Sequence, residues 1–146
     1  MPVSDLCSKK LVSISPKASL MEAAKMMKNK GVGSLLVMEE GAKRCKGLIT
    51  DRDITLYAVA EGEFAGLKVS DVMSRQVATV SQKSGLHEVL EKMEKYQLRR
   101  IVVVDEDGSA CGILSSDDVI QLLAKEMGML GSLFSKQIGR PEQARA

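Results

Sequence analysis

The sequence has no tryptophan, two tyrosines and two phenylalanines, so aromatics make up 3% of its 146 residues. A platform that stacks single-stranded bases on aromatic rings is therefore not expected. The single histidine, His87, falls in the first turn of a predicted helix and reads as a surface residue. No nucleophile is paired with a base, and no two carboxylates are spaced for acid and base work, so nothing supports an enzyme. A strong charge of either sign is also missing. The 21 Lys and Arg stand against 19 Asp and Glu, a net of +2, which is too little to argue for nucleic acid on charge alone. A nucleic-acid binder using Lys9, Lys10, Lys43, Arg44 and Lys46 is a minor alternative, marked by affinity that would fall steeply with salt. No apolar run approaches the roughly 20 residues that span a bilayer. The N-terminus, MPVSDLCSKK, lacks the apolar stretch of a signal peptide. Three cysteines, Cys7, Cys45 and Cys111, form an odd set without metal-ligand spacing and suit a reducing cytoplasm. Cys45 and Cys111 read as small apolar fillers of a strand.

What is present is ordinary globular material, 45% hydrophobic and 27% charged, in a chain of about one domain's length. Within it, GLITDRDI from Gly47 returns as GILSSDDV from Gly112. VSDLCS from Val3 likewise returns as VSDVMS from Val69, and LVSIS from Leu11 as VATVS from Val77. The offset is 66 at first and 65 by the signature, so the first copy carries one extra residue in the loop between its two core strands. Each copy reads strand, helix, strand, strand, helix, an α/β (α+β) unit. Ser19 and Glu22 form a capping box. Leu20, Ala23, Ala24 and Met27 then draw one apolar stripe, matched by Leu86, Val89, Leu90 and Met93. Strands are expected at 11–14, 35–38 and 47–50, and at 77–80, 101–104 and 112–115, with second helices at about 52–60 and 117–127. The expected division is 1–62 for the first repeat, 63–68 for a linker, 69–127 for the second repeat and 128–146 for a tail. The tail's Leu130, Leu133, Phe134 and Ile138 can form a stripe that packs on a neighbour or a second subunit, with fraying expected from Gly131, Gly139 and Pro141.

The signature places a hydroxyl and a carboxylate three residues apart where a strand enters a helix: Thr50 with Asp53, and Ser115 with Asp118. One reading is a helix cap, with the acid also favoured by the helix dipole. The other is a pair of groups facing a small polar ligand. The repeated G-h-h-[ST]-x-x-D-h pattern (h, aliphatic), on two copies of about 60 residues, resembles the CBS (cystathionine beta-synthase) domain pair, or Bateman module, over nearly the whole chain. TDRDI is typical of stand-alone members of that family. The chain departs from the family at Ile101, where a proline is usual.

The resemblance implies tandem CBS repeats packed through their sheets with pseudo-two-fold symmetry. It also implies two clefts for an adenosine-containing ligand such as AMP, ADP, ATP, NAD or S-adenosylmethionine, with no covalent cofactor and no metal. By motif position, Asp53 and Asp118 would accept from ribose hydroxyls, and Thr50 and Ser115 would hold a phosphate. Ser13 and Thr79 would touch adenine, with Ile14 and Val80 giving apolar contact. Arg52 has Asp117 as its counterpart, so the two clefts should differ, the Arg52 cleft tolerating more phosphate. Arg99 and Arg100 either line a cleft or form a solvated strand edge. The functional expectation is a non-catalytic cytoplasmic regulator that binds an adenosine nucleotide, assembles as a homodimer and signals to an unknown effector protein. The alternative is a structural dimerisation module without a ligand.

Overall fold

The computed structural model describes residues 1–62 and 65–139. Residues 63 and 64 of the expected linker, and 140–146 of the expected tail with Pro141, lie outside them. A 3-10 turn, Val3–Asp5, precedes strand β1, Ser13–Ile14. Helix α1, Leu20–Lys30, starts on the Ser19–Glu22 capping box and stops at Gly31, whose φ of 64° lies in the left-handed region. Strands β2, Ser34–Val37, and β3, Gly47–Thr50, follow. The second copy repeats the order with α3, Val69–Val72, β4, Thr79–Ser81, α4, Leu86–Tyr96, β5, Arg100–Val104, and β6, Ala110–Ser115. Where Gly31 ends α1, the matching residue after α4 is Gln97, held left-handed at φ 53°.

In each repeat the first strand runs parallel to the second and the second antiparallel to the third. The registers correspond. Ser13 pairs with Leu36 as Thr79 does with Val102, and Ser34 with Thr50 as Arg100 does with Ser115. Val37 pairs with Gly47 as Val103 does with Gly112, so the first copy's extra residue sits in the turn between them. Ile101 lies in the regular ladder opposite Leu114 and is fully buried, so the missing proline leaves an unbroken strand.

Strand alternation gives each sheet two faces. One face carries Leu35, Val37 and Ile49, packed with Leu20, Ala23 and Met27 of α1; its counterpart carries Ile101, Val103 and Leu114, packed with Val89 and Met93 of α4. The other face carries Leu36 and Val102. These equivalent residues belong to neither core, yet they are 2% and 0% exposed. They are buried where the two sheets meet.

The leading segments cross over. Val3 donates its amide to the Ser84 carbonyl and Ser4 to that of Gln82; Val69 and Ser70 donate to those of Ala18 and Pro16. Val3, Leu6 and Cys7 therefore pack in the second repeat's core, and Val69, Val72 and Met73 in the first's. Ser8 then pairs with Ile113 on β6, and Ser74 with Leu48 on β3. Each sequence repeat thus supplies one piece of the other repeat's folded unit. The matching contacts obey a pseudo-two-fold relation.

Two helices differ from expectation. Helix α2 begins at Asp51, runs as α-helix to Ile54 and loosens into π-helix over Thr55–Val59. Helix α5, Ser116–Ile138, continues for 23 residues without a break at Gly128 or Gly131, so the expected fraying at Gly131 does not occur. Its flanking residues (Ala124, Lys125, Glu126, Met127, Met129 and Leu130) are strong helix formers, and no proline interrupts them.

Candidate functional site

Both signatures form complete capping boxes. Thr50 Oγ1 accepts from the Asp53 amide at 3.1 Å, while Asp53 Oδ2 accepts from the Thr50 amide at 2.9 Å. Ser115 Oγ accepts from the Asp118 amide at 3.1 Å, and Asp118 Oδ2 accepts from the Ser115 amide at 2.9 Å and hydroxyl at 2.7 Å. The cap reading is realised in both copies, yet it occupies one carboxylate oxygen only. Oδ1 of Asp53 and of Asp118 accepts no hydrogen bond among the described residues. Each carboxylate is half-buried and keeps a fixed orientation with acceptor capacity to spare.

Register decides which of the other residues share a face with these groups. Paired residues on neighbouring strands point the same way, so Ser13, Ser34 and Thr50 lie on the Leu36 face of the first sheet. Thr79, Arg100 and Ser115 lie on the Val102 face of the second. Ile14 and Val80 point the opposite way, into the cores, at 6% and 1% exposure. Val80, expected to give a base apolar contact, has its side chain packed in the core with Val89 and Met93. Ile14 keeps a marginal exposure at a cavity beside Glu22, Met26 and Lys30, away from the sheet interface.

The crossing then determines neighbours across repeats. Ser74 lies on the edge of β3, and five residues later Thr79 enters β4; five extended residues reach at most about 18 Å. Ser8 on the edge of β6 leads in the same way to Ser13 in β1. Thr79 of the second repeat and Ser13 of the first thus each follow, by five residues, an edge pairing with the other repeat's sheet. Thr79 and Val77 share a cavity of about 270 Å³ with Arg44 and Cys45, which precede β3 at the opposite end of that strand from Thr50. Thr79 also fronts a cavity of about 490 Å³ on its other side, lined by Arg75, Lys92, Tyr96 and Leu98. Asp118 borders a cavity of about 360 Å³ with Asp5, Gln121 and Lys125. This crossed arrangement was hidden from sequence reasoning, because an alignment of copies carries no information about which copy a segment packs on.

The three arginines are placed differently. Arg100 reaches across to the first repeat: a Cβ built on Gly33 would stand 3.7 Å from its Nη2 and 3.3 Å from Asp51 Oδ2. Arg52 is exposed and makes no ion pair among the described residues. Arg99 is exposed and lies 3.8 Å from Asp117 at the second helix start. The Thr50–Asp53 side therefore holds Arg52 and Arg100 against Asp51, and the Ser115–Asp118 side has an arginine already facing an acid. Asp51 and Gly33 were not singled out from sequence; neither belongs to the hydroxyl–carboxylate pattern.

Elsewhere, burial pushes the thiols of Cys7, Cys45 and Cys111 above the ordinary value, which keeps them neutral fillers. Among the described residues no three His, Cys, Asp or Glu cluster as metal ligands, and no helix is long and apolar enough to cross a membrane. Of the basic residues weighed for nucleic acid, Lys46 pairs with Glu39 at 2.6 Å, and the Lys10 ammonium donates to the Lys30 carbonyl at 2.8 Å.

Comparison with known proteins agrees with this architecture. The CBS domain family model matches residues 3–60 and 69–125. The CBS domain-containing protein YhcV of Bacillus subtilis is 33% identical over 117 residues, covering 80% of this chain and 81% of YhcV. The CBS domain pair of protein MJ0100, solved with 5-methylthioadenosine and S-adenosyl-L-methionine, superposes with a TM-score of 0.76 at 28% identity, over 86% of this chain and 98% of that one. The protein PAE2072 of Pyrobaculum aerophilum, solved with AMP, gives a TM-score of 0.72 at 28% identity, over 81% and 89%. With two matched copies, the repeated signature and two sheets packed about a pseudo-two-fold axis, this chain belongs to the CBS domain family as a tandem pair.

Proposed function

We propose that this chain is a non-catalytic regulatory module that binds an adenosine-containing ligand, such as AMP, ADP, ATP, NAD or S-adenosylmethionine, where each first strand lies beside the other repeat's signature. One observation carries the reading. Ser13 and Thr50, and Thr79 and Ser115, lie on the inter-sheet faces of their own sheets, and each signature Asp holds one acceptor oxygen without a hydrogen bond among the described residues. Ribose hydroxyls are donors of the right kind for that oxygen. The two related pairs solved with adenosine compounds support the ligand class. A ligand held between strands of different repeats favours one arrangement of the two, and so can move an equilibrium between states that bind it unequally. The output passes to an effector protein, in the cytoplasm, from a homodimer.

Thermal melts of ligand-free protein with each of these nucleotides, beside Asp53→Ala and Asp118→Ala, test the reading. A ligand at about a hundred times its dissociation constant adds roughly 2.7 kcal/mol to the native state. Each alanine variant loses about 1 kcal/mol of cap in any case, and the cleft in use is the one whose variant also loses the ligand's shift. Absence of a shift with every nucleotide leaves the signatures as caps, in a structural dimerisation module. Between the clefts, Arg52→Ala should weaken ATP by about tenfold and AMP much less, since a charge-assisted contact to an outer phosphate is lost. Equal losses for both nucleotides count against a polyphosphate role for Arg52.

A further inference from the structure

Arg100 is the one charged residue in the strands β1 to β6. In the first repeat its place is taken by Ser34, which opens β2 opposite Thr50 as Arg100 opens β5 opposite Ser115. Both positions stand two residues before Leu36 or Val102, and so on the faces where the two sheets meet. The Arg100 side chain is half-buried and makes no ion pair among the described residues. A guanidinium partly withdrawn from water without an acid to pair with is one that a bound anion satisfies, through donors in a planar fork.

Register and reach put that fork between the two signatures. The Arg100 Cα faces that of Ser115 across the antiparallel pair, about 5 Å away. The tip of the side chain lies in the first repeat, where a Cβ on Gly33 would stand 3.7 Å from Nη2 and 3.3 Å from Asp51 Oδ2. Gly33 precedes Ser34, the pairing partner of Thr50, and Asp51 follows Thr50. Nothing reaches back in the same way: a serine at position 34 is too short, and Arg99 faces Asp117 at 3.8 Å.

We infer that Arg100 is a single phosphate anchor shared by the Thr50–Asp53 and Ser115–Asp118 sides, so that a phosphate held at one withdraws the arginine from the other. This rests on the adenosine-ligand reading above and adds a rule of occupancy to it. One nucleoside monophosphate binds each chain tightly and a second binds weakly, whereas a ligand without phosphate meets no such rule. By linkage the effect is mutual, each side weakening the other by the same factor. Arg52 does not lift the rule for a monophosphate, since the role proposed for it is at an outer phosphate.

Calorimetric titration of the ligand-free full chain with AMP, and separately with adenosine, tests this. Beside the wild type stand Arg100→Ser, which removes the anchor, and Ser34→Arg, which gives the first repeat one of its own. In the wild type the ratio between the two AMP affinities should exceed that between the two adenosine affinities by about tenfold or more, as expected when only one phosphate has the charge-assisted contact. In both variants the AMP ratio should fall to the adenosine ratio, Arg100→Ser by weakening the tight site and Ser34→Arg by strengthening the weak one. Adenosine binding that stays unchanged shows that each variant is folded. Equal ratios for AMP and adenosine in the wild type, or an AMP ratio that survives in a folded variant, overturn the inference and leave the ligand reading standing. Binding of neither compound overturns the ligand reading, and the inference with it.

Discussion

A methyl group added at Gly47 would stand 2.7 Å from the Met73 sulfur and 2.7 Å from the Ser74 carbonyl oxygen; one added at Gly112 would overlap Cys7 Sγ and stand 3.2 Å from its Cβ. The signature glycine exists because the other repeat's leading segment crosses the sheet there, so close that a Cβ has no place. Gly47→Ala must displace backbone and should cost about 2 to 3 kcal/mol, with little relief from Met73→Ala, because the Ser74 carbonyl remains. At Gly112 the worst contact is a side-chain sulfur, so Cys7→Ala should recover about 1 kcal/mol of the loss caused by Gly112→Ala. Urea unfolding of the singles and doubles yields the two coupling energies. Equal couplings at both glycines would contradict this account. The glycines were legible in the sequence as part of a repeated pattern, as were Asp53 and Asp118. Their reasons were not, since the atoms that crowd Gly47 lie 26 residues away on a segment aligned to the other copy.

At the level of elements, what could be read were local devices: the Ser19–Glu22 box, the stripe of Leu20, Ala23 and Met27, and the hydroxyl–acid caps at Thr50 and Ser115. These depend on residues within one or two turns of each other, which a sequence displays directly. The length of α5 was not legible because a glycine such as Gly131 looks like a break, yet a glycine inside a helix costs only about 1 kcal/mol relative to alanine and its neighbours favour the helix. A Cβ at Gly128 would meet nothing within 4 Å. Gly128→Ala should therefore stabilise the end of α5 by up to about 1 kcal/mol. As only Val119 of this helix is buried, the gain should appear as slower amide exchange over residues 128–138 more than as a raised global midpoint. Faster exchange there would show that the methyl obstructs a contact on that face.

The crossing joins both repeats into one cooperative molecule. Val3, first in sequence, is fully buried in the second repeat's core, and Val69 of the second copy is fully buried in the first's. Removing two methyl groups from either should cost about 2 kcal/mol through lost burial and the cavity left behind. The location of the damage is the discriminating observation. Under crossed packing, Val3→Ala should speed amide exchange first in β5 and β6, more than 95 residues along the chain, and leave β2 and β3 protected. Val69→Ala should do the reverse, loosening β2 and β3. If Val3→Ala instead loosened β2 and β3, each leading segment would belong to its own repeat, and the proposed cleft shared by Thr79 and Asp53 would lose its basis. The same exchange experiment therefore bears on the binding proposal. An adenosine ligand spanning Thr79 and Asp53 touches both folded units, so it should raise protection in β4 and β3 together, whereas a ligand confined to one repeat would protect only one of the two sheets.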